Sequence, residues 1–207
     1  MMRWRHRTTS LSASADTLFW AWALHAGVML FGAWWLQRMG LWAELVRGDP
    51  SGISVGIAVL AAICTVWVGR RARLLALEAR PSGGRWRAAW RADRAAGRPE
   101  AAQLLSERTH GPHETAWWFA AAAVKLGLLG TVVGFIVMSM QISRMQLFDI
   151  SEVQTLLKQM TQGMAIALYT TLVGLAANLW LGLQLLLLDR MADQVAASIL
   201  GDGEQAS

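Results

Sequence analysis

Four long apolar runs are the feature that most constrains how this chain folds. They cover residues 17–37, 52–69, 116–140 and 163–188, and all four prolines lie between them, where we expect them to break helices. About 20 residues of α-helix are about 30 Å long, which matches the hydrocarbon thickness of a bilayer. Backbone groups in lipid must be hydrogen-bonded within the segment, which favours helices. The sequence therefore predicts an all-α integral membrane protein with four transmembrane helices.

Composition narrows the class of protein further. Of the 207 residues, 55% are hydrophobic, which is typical of a membrane protein. The net charge of +5 comes from arginines that flank the apolar runs, so we interpret it as a topology signal and expect no nucleic-acid partner. No phosphate-binding glycine loop is found, and we expect no enzymatic activity. Cys64 is the only cysteine, and the four histidines are scattered; we expect neither a metal nor a cofactor.

The distribution of basic residues predicts the orientation of the chain. Arginines are concentrated in the N-terminal tail and between residues 70 and 108, whereas the opposite side holds only Arg38, Arg47, Arg144 and Lys158. By the positive-inside rule, both termini and the arginine-rich segment are cytoplasmic. We interpret the first run as an uncleaved span, since no small-x-small cleavage site follows it. The predicted parts are a cytoplasmic tail (1–16), two peripheral transmembrane helices (17–69), a helical arginine-rich segment (70–115), two further spans with an outer connecting segment (116–188) and a cytoplasmic C-terminal tail (189–207).

The third run carries small residues on one helix face. Gly127, Thr131 and Gly134 are four and then three residues apart, and Gly130 forms a GxxxG pair with Gly134. Glycine lets two helix backbones approach closely, which lipid-facing positions do not require. We expect the glycines to lie in helix packing. For Thr131 the pattern leaves packing and an ion pathway open.

The fourth run has a similar stripe. Ala167, Thr171, Gly174 and Asn178 are spaced at four, three and four, and Gly163 precedes them by four. We expect Gly163, Ala167 and Gly174 to lie in helix packing. Asn178 is costly in hydrocarbon unless it meets water or a partner, so either a wet channel or an interhelical hydrogen bond would explain it.

Ionisable groups inside the runs are few. Lys125 is expected to reach the headgroups as a membrane-interface charge. None of the four runs contains aspartate or glutamate, and His25 lies alone in the first run, where it is more often a packed neutral residue. Outside the runs, His110 and His113 fall in a stretch that the sequence allows to be either a loop or a helix leading into the third run. Residues 142–162 have helical spacing and predict an outer interfacial helix.

The two stripes together resemble the MotA/TolQ/ExbB proton channel family. The third run is similar to its Gly-Leu-Leu-Gly-Thr-Val-x-Gly signature from Gly127 to Gly134. The fourth is similar to a second pattern, which is met by the following residues: Gly163, Ala167, Leu168, Thr171, Gly174 and Leu175. The resemblance covers about residues 115–195.

The resemblance implies a ring, of five copies in this family, around a dimer of single-span partner chains of the MotB, ExbD or TolR kind. The partner carries the titrating membrane aspartate, which would explain why this chain has none. Thr131 and Thr171 match the family threonines that face that aspartate. With Asn178 they form the expected ion pathway, in a channel core at residues 116–188 whose two long helices line the pore.

Two departures leave the branch of the family open. The ExbB/TolQ branch has a glutamate where this chain has Ile166, and the arginine-rich segment is short for a flagellar stator. We expect the chain to be an ion-channel subunit of a motor driven by ion-motive force. We expect it to be a multi-pass protein of the bacterial inner membrane. Whether the ion is a proton or sodium, and which process the motor drives, are left open. The alternatives are a non-conducting scaffold assembled through small-residue helix faces, and a small-solute transporter, which would show internal repeats and broken helices.

Overall fold

A computed structural model describes residues 5–79, 84–143 and 150–204. These residues form six α-helices and no strand, which confirms the all-α prediction. The helices are α1 (Arg5–Arg38), α2 (Leu41–Gly48), α3 (Ile53–Glu78), α4 (Arg85–Ala95), α5 (Ala101–Ser143) and α6 (Ile150–Glu204).

Within the described residues, three segments are long and apolar enough to cross a membrane. They are α3, α5 and the part of α6 from Leu157 to Gly201, and they contain the second, third and fourth apolar runs. The chain is therefore a multi-pass membrane protein by length and composition. The first run lies within α1; its membrane-spanning character and the cytoplasmic position of the two termini stay predictions.

The turns on either side of α2 are built from short-range contacts. Gly40 adopts a φ of 74°, a left-handed conformation that favours glycine, and it separates α1 from α2. Trp42 Nε1 donates to Ala33 O at 3.1 Å across this turn. Asp49 then caps α3, because its carboxylate accepts from Ser51 N at 3.1 Å and from Ser54 N at 2.7 Å. Burial alone would raise the pKa of Asp49, but the hydrogen bonds from Ser51 and Ser54 outweigh it and lower that pKa.

Residues 142–162 do not form a separate outer helix within the described part of the chain. Helix α5 ends at Ser143, and residues from Ile150 onward are already the first turns of α6. Residues 144–149 lie outside the described residues. The helical spacing was therefore interpreted correctly from Ile150 onward, but it belongs to a 55-residue helix.

Helix α5 continues through Pro112, which the sequence analysis placed between the runs as a helix breaker. Proline has no N–H, so the carbonyl four residues earlier, that of Arg108, loses its helical donor. The guanidinium of Arg71, on α3, replaces that donor: its Nη2 donates to Arg108 O at 2.7 Å and to Thr109 O at 3.1 Å. A long-range side-chain contact thus satisfies the carbonyl that Pro112 leaves without its helical donor.

The chain divides into two compact units. Unit 1 comprises Met1–Met29, Thr65–Trp117 and Gly182–Ser207, and unit 2 comprises Leu30–Cys64 and Trp118–Leu181. Unit 1 has a core of aliphatic side chains, among them Leu75, Leu105, Leu188, Val195 and Ile199. Helices α5 and α6 contribute to both units, and their contacts within each unit are described separately below.

Candidate functional site

In unit 2, helices α5 and α6 pack against each other through backbone. A Cβ added to Gly134 would lie 2.5 Å from Gly163 O, and one added to Gly174 would lie 2.8 Å from Ala123 O. Real Cβ atoms essentially never come this close to another heavy atom. Since higher residue numbers on α5 meet lower numbers on α6, the two helices are antiparallel.

The remaining predicted packing residues lie in the same contact. A Cβ at Gly127 would be 2.9 Å from Thr170 O, a Cβ at Gly130 would overlap the Thr170 side chain, and Ala167 borders Gly134. We call this contact the glycine seam. It consists of Gly127, Gly130, Gly134, Gly163, Ala167 and Gly174, all of them buried. Every residue that the sequence analysis assigned to helix packing is placed here, and all of these contacts lie within one chain.

The most deeply buried threonine of unit 2 is Thr170, a residue that sequence reasoning missed. Its side chain is 0% exposed, and its hydroxyl donates to Ile166 O at 2.9 Å and Ala167 O at 3.1 Å. The sequence pattern favoured the stripe through Thr171, which lies one residue further along α6. Helical spacing alternates between three and four, so two neighbouring stripes fit it equally well. The structure distinguishes the two stripes, because the threonine that contacts Gly130 is Thr170.

Thr131, Thr171 and Asn178 lie beside the seam and are partly exposed. Each follows a buried residue by one position, namely Gly130, Thr170 and Ala177, and one position turns a side chain by about 100° around the helix. Because the helices are antiparallel and face each other along the seam, the same turn on each brings these residues to the same side of the pair. We call that side the threonine face.

The hydroxyls of the threonine face donate to backbone carbonyls of their own helices, and the hydroxyl of Thr171 also reaches a carbonyl of α5. Thr131 Oγ1 donates to Leu128 O at 2.5 Å, and Thr171 Oγ1 donates to Ala167 O at 2.9 Å, with Gly127 O at 3.5 Å. A hydroxyl that donates its proton inward still has acceptor lone pairs directed elsewhere. Both threonines can therefore accept a hydrogen bond from water or from a protonated carboxyl group.

An apolar depression lies along the same side of the helix pair. Its lining residues are Gly134, Phe135, Met138, Gly163, Met164 and Ala167. Phe135 and Met164 also follow buried glycines by one position, and their side chains are 61% and 52% exposed. The threonine face therefore continues into an exposed apolar surface. Lys125, the predicted interface charge, is exposed on α5.

In unit 1 the same two helices make polar contacts instead. His113 Nδ1 lies 2.7 Å from Asp189 Oδ1, and His110 Nε2 lies 3.0 Å from Asp193 Oδ1. Trp117 Nε1 donates to Asp189 Oδ2 at 2.9 Å. We call His110, His113, Asp189 and Asp193 the histidine–aspartate cluster. The stretch that contains the two histidines, for which the sequence allowed a loop or a helix, is part of helix α5.

Sequence reasoning named the two histidines but not their partners. The available signal was the spacing, three residues between the histidines and four between the aspartates, which puts each pair on one helix face. Pairing them required the register of α5 against α6. Among the described residues, no group of three or more His, Cys, Asp or Glu is arranged to hold a metal ion.

A comparison with protein-family models matches residues 100–199 to the MotA/TolQ/ExbB proton channel family. The matched segment contains all of α5 and most of α6, so it includes both signature helices, the glycine seam and the histidine–aspartate cluster. No curated protein and no solved structure matches the chain.

Proposed function

Residues 100–199 belong to the MotA/TolQ/ExbB proton channel family, and from this premise we propose that the chain is a proton-conducting subunit of a motor driven by ion-motive force. The proposed setting is the bacterial inner membrane. The process that the motor drives and the branch of the family are left open. Moving one charge down 100 mV releases about 2.3 kcal/mol, which is enough to bias a conformational step.

The observation that carries this proposal is the threonine face. The glycine seam fills the contact between α5 and α6, whereas Thr131, Thr171 and Asn178 lie along one edge of it and are partly exposed, with the Thr171 hydroxyl still 3.5 Å from Gly127 O. Placing hydroxyl and amide groups against lipid costs free energy, and placing them beside a narrow water-filled gap costs much less. We therefore assign the ion pathway to the threonine face, with the two threonines as hydrogen-bond acceptors along it.

A proton pathway needs a titrating group, and no aspartate or glutamate lies in the four apolar runs. We propose that a partner supplies it: a dimer of single-span chains, each with one membrane aspartate, surrounded by a ring of this chain. A pentamer is the ring size proposed from the family. The exposed apolar side chains beside the threonine face, such as Leu128 at 54% and Leu168 at 67%, provide surface for neighbouring subunits, the partner and lipid.

A non-conducting scaffold assembled through small-residue faces is the alternative. The glycine seam is occupied within one chain by α5 against α6, so it is not free to join two copies. This placement disfavours a scaffold in which copies are joined through their glycine faces.

The test is reconstitution with the partner. The tagged chain is purified from its native membranes in mild detergent, and co-purifying single-span proteins are identified by mass spectrometry. Proteoliposomes holding the complex, and others holding the chain alone, are given a membrane potential, and internal pH is followed with a dye. We expect proton uptake only with the partner, and none when its membrane aspartate is changed to asparagine. Absence of uptake with the intact complex, or unchanged uptake with the asparagine variant, would contradict the proposal.

A further inference from the structure

We propose that Arg70 and Arg73, near the end of α3, form a binding site for the phosphate group of an anionic phospholipid. We call Arg70, Arg73, Leu74 and Leu77 the basic face of α3. All four residues lie in unit 1. The site concerns a surface turned towards the membrane, so the inference does not rest on the proposed function.

Helix α3 is long enough to bring the basic face to the level of lipid headgroups. It is a candidate membrane span from Ile53 to Glu78, and its 26 residues are about 39 Å long. A bilayer measures about 30 Å across its hydrocarbon core and about 40–45 Å with its headgroups. A helix of this length, centred in the bilayer, therefore has its last turns among the headgroups.

The basic face combines positive charge with exposed apolar surface. Arg70 and Arg73 are exposed, and so are Leu74 at 45% and Leu77 at 54%. Intervals of three and four residues put these side chains on one side of the helix. Val66, one turn earlier on the same side, is 64% exposed. Apolar side chains before and after the two arginines indicate contact with lipid, where an arginine stem lies along acyl chains and its guanidinium reaches the headgroups.

Arg71, which lies between the two arginines in sequence, is held by the protein instead. Its guanidinium donates to Arg108 O and Thr109 O and lies over the ring of Trp86, 5.0 Å from the ring centroid. The side chains of Arg70 and Arg73 make no hydrogen bond or ion pair with the residues that the structure describes. Internal contacts therefore explain one arginine of this stretch and leave the two exposed ones available to a ligand.

The acidic side chains closest along the chain are already occupied. Glu78 is the only acidic residue of α3, and its carboxylate accepts from Arg85 N at 3.1 Å and from Trp86 N at 3.2 Å. Asp93, on α4, is bound by two other arginines at 2.9 Å each. The two positive charges of the basic face are therefore left to pair with an anion from outside the chain.

The combination of groups favours a phospholipid over a soluble anion. Guanidinium groups bind phosphate oxygens through paired, charge-assisted hydrogen bonds. A soluble phosphate would satisfy the arginines but would leave the exposed leucines and Val66 in water. A phospholipid supplies both parts, because its phosphate meets the arginines and its acyl chains cover the apolar side chains. A lipid with net negative charge binds best, since a zwitterionic headgroup carries its own ammonium.

The test measures lipid binding to the full-length chain by native mass spectrometry. The protein is purified in a neutral detergent, stripped of lipid and titrated with phosphatidylglycerol or with phosphatidylcholine of the same acyl chains. Inorganic phosphate, added in excess, is the probe for a soluble anion. We expect phosphatidylglycerol to bind at lower concentration than phosphatidylcholine, and we expect inorganic phosphate not to displace it.

Three double variants locate the site. Arg70→Gln with Arg73→Gln should weaken phosphatidylglycerol binding by about thirtyfold, because each basic residue near an anionic surface contributes a factor of about five. Lysine at both positions keeps the charge and should lose less. Arg91→Gln with Arg94→Gln is the matched control, since it removes the same charge from exposed arginines of α4 and should bind like the wild type.

Equal binding of the two lipids by the wild type, or displacement of phosphatidylglycerol by inorganic phosphate, would overturn the lipid site. Equal losses in the glutamine variants of α3 and α4 would overturn it in favour of attraction by overall charge. The single variants Arg70→Gln and Arg73→Gln, each expected to weaken binding about fivefold, decide the question if the double variant does not fold. Proton uptake is not measured, so failure of the proposed function leaves this result unaffected.

Discussion

Helices α5 and α6 are joined in two different ways within the two units. In unit 2 their contact is the glycine seam, where backbone meets backbone and an added Cβ at Gly134 would be 2.5 Å from Gly163 O. In unit 1 their contact combines aliphatic side chains with the histidine–aspartate cluster. One pair of helices therefore carries two kinds of interface along its length.

The topology expected from the sequence offers a reason for this difference, because it places the seam in lipid and the cluster near the cytoplasmic surface. Lipid tails are as apolar as leucine, so burying leucine between two membrane helices gains little, and close backbone packing supplies the attraction instead. In water, burial of aliphatic side chains is itself favourable, and polar side chains can fix the register. The comparison predicts that the seam tolerates no added volume, whereas the cluster of unit 1 is sensitive to lost hydrogen bonds.

The largest effect is expected for Gly134→Leu. The new side chain has no space between α5 and α6, so the helix pair separates, and the cost is about 3 kcal/mol or more, above that of ordinary overpacking. We expect loss of the native oligomer mass, measured by light scattering in mild detergent. Gly56→Leu is the control, because a Cβ at Gly56 meets nothing within 4 Å. A Gly134→Leu protein with native mass would contradict the conclusion that the seam has no space for an added side chain.

The second effect tests the polar contact of unit 1. Asp189→Ala leaves the buried His113 and the indole of Trp117 without their shared acceptor, at a cost of about 1–3 kcal/mol. Thermal unfolding in detergent should show a lowered midpoint. Asp193→Ala should change it little, since that carboxylate is 72% exposed. Equal shifts for the two variants would show that burial does not determine the strength of this contact.

Arg71→Met addresses the proline inside α5. It removes the donor to Arg108 O, and we expect a cost of about 1–2 kcal/mol. Pro112→Ala restores a backbone N–H that can reach the same carbonyl, so the cost of Arg71→Met should shrink in the Pro112→Ala background. A double-mutant cycle by thermal unfolding measures this coupling. Strict additivity of the two changes would mean that Arg71 does not compensate for Pro112.

The smallest effect concerns Asp49, a polar contact of unit 2 away from the seam. Asp49→Asn weakens the cap of α3 and should cost about 1 kcal/mol. Since folding lowers the pKa of Asp49 below its ordinary value of about 3.9, its contribution is complete above that pH and is lost as pH falls through the folded-state pKa. Unfolding midpoints of wild type and variant should converge below that range. A difference that persists at low pH would contradict the assignment.

Sequence reasoning predicted an all-α chain, and it assigned the glycines of the seam to helix packing because glycine in an apolar run has few uses besides close packing. It favoured Thr171 and missed the buried Thr170, since the two directions differ by one residue and both fit helical spacing. It interpreted Pro112 as a break because the compensating Arg71 is far away along the chain. The partners of His110 and His113 were also missed, because they are far away along the chain and both contacts depend on how α6 is aligned with α5.

The most direct test of the central claim compares two adjacent threonines. Thr171 lies on the threonine face and is partly exposed, whereas Thr170 is fully buried in the seam; the hydroxyls of both donate to carbonyls of their own helix. Valine has nearly the shape of threonine and removes only the hydroxyl. Proton uptake is measured for Thr171→Val and Thr170→Val in the reconstituted complex. We expect Thr171→Val to abolish uptake, with normal assembly, and Thr170→Val to conduct like the wild type. Wild-type uptake by Thr171→Val, or equal loss in both variants, would contradict the assignment of the pathway to the threonine face.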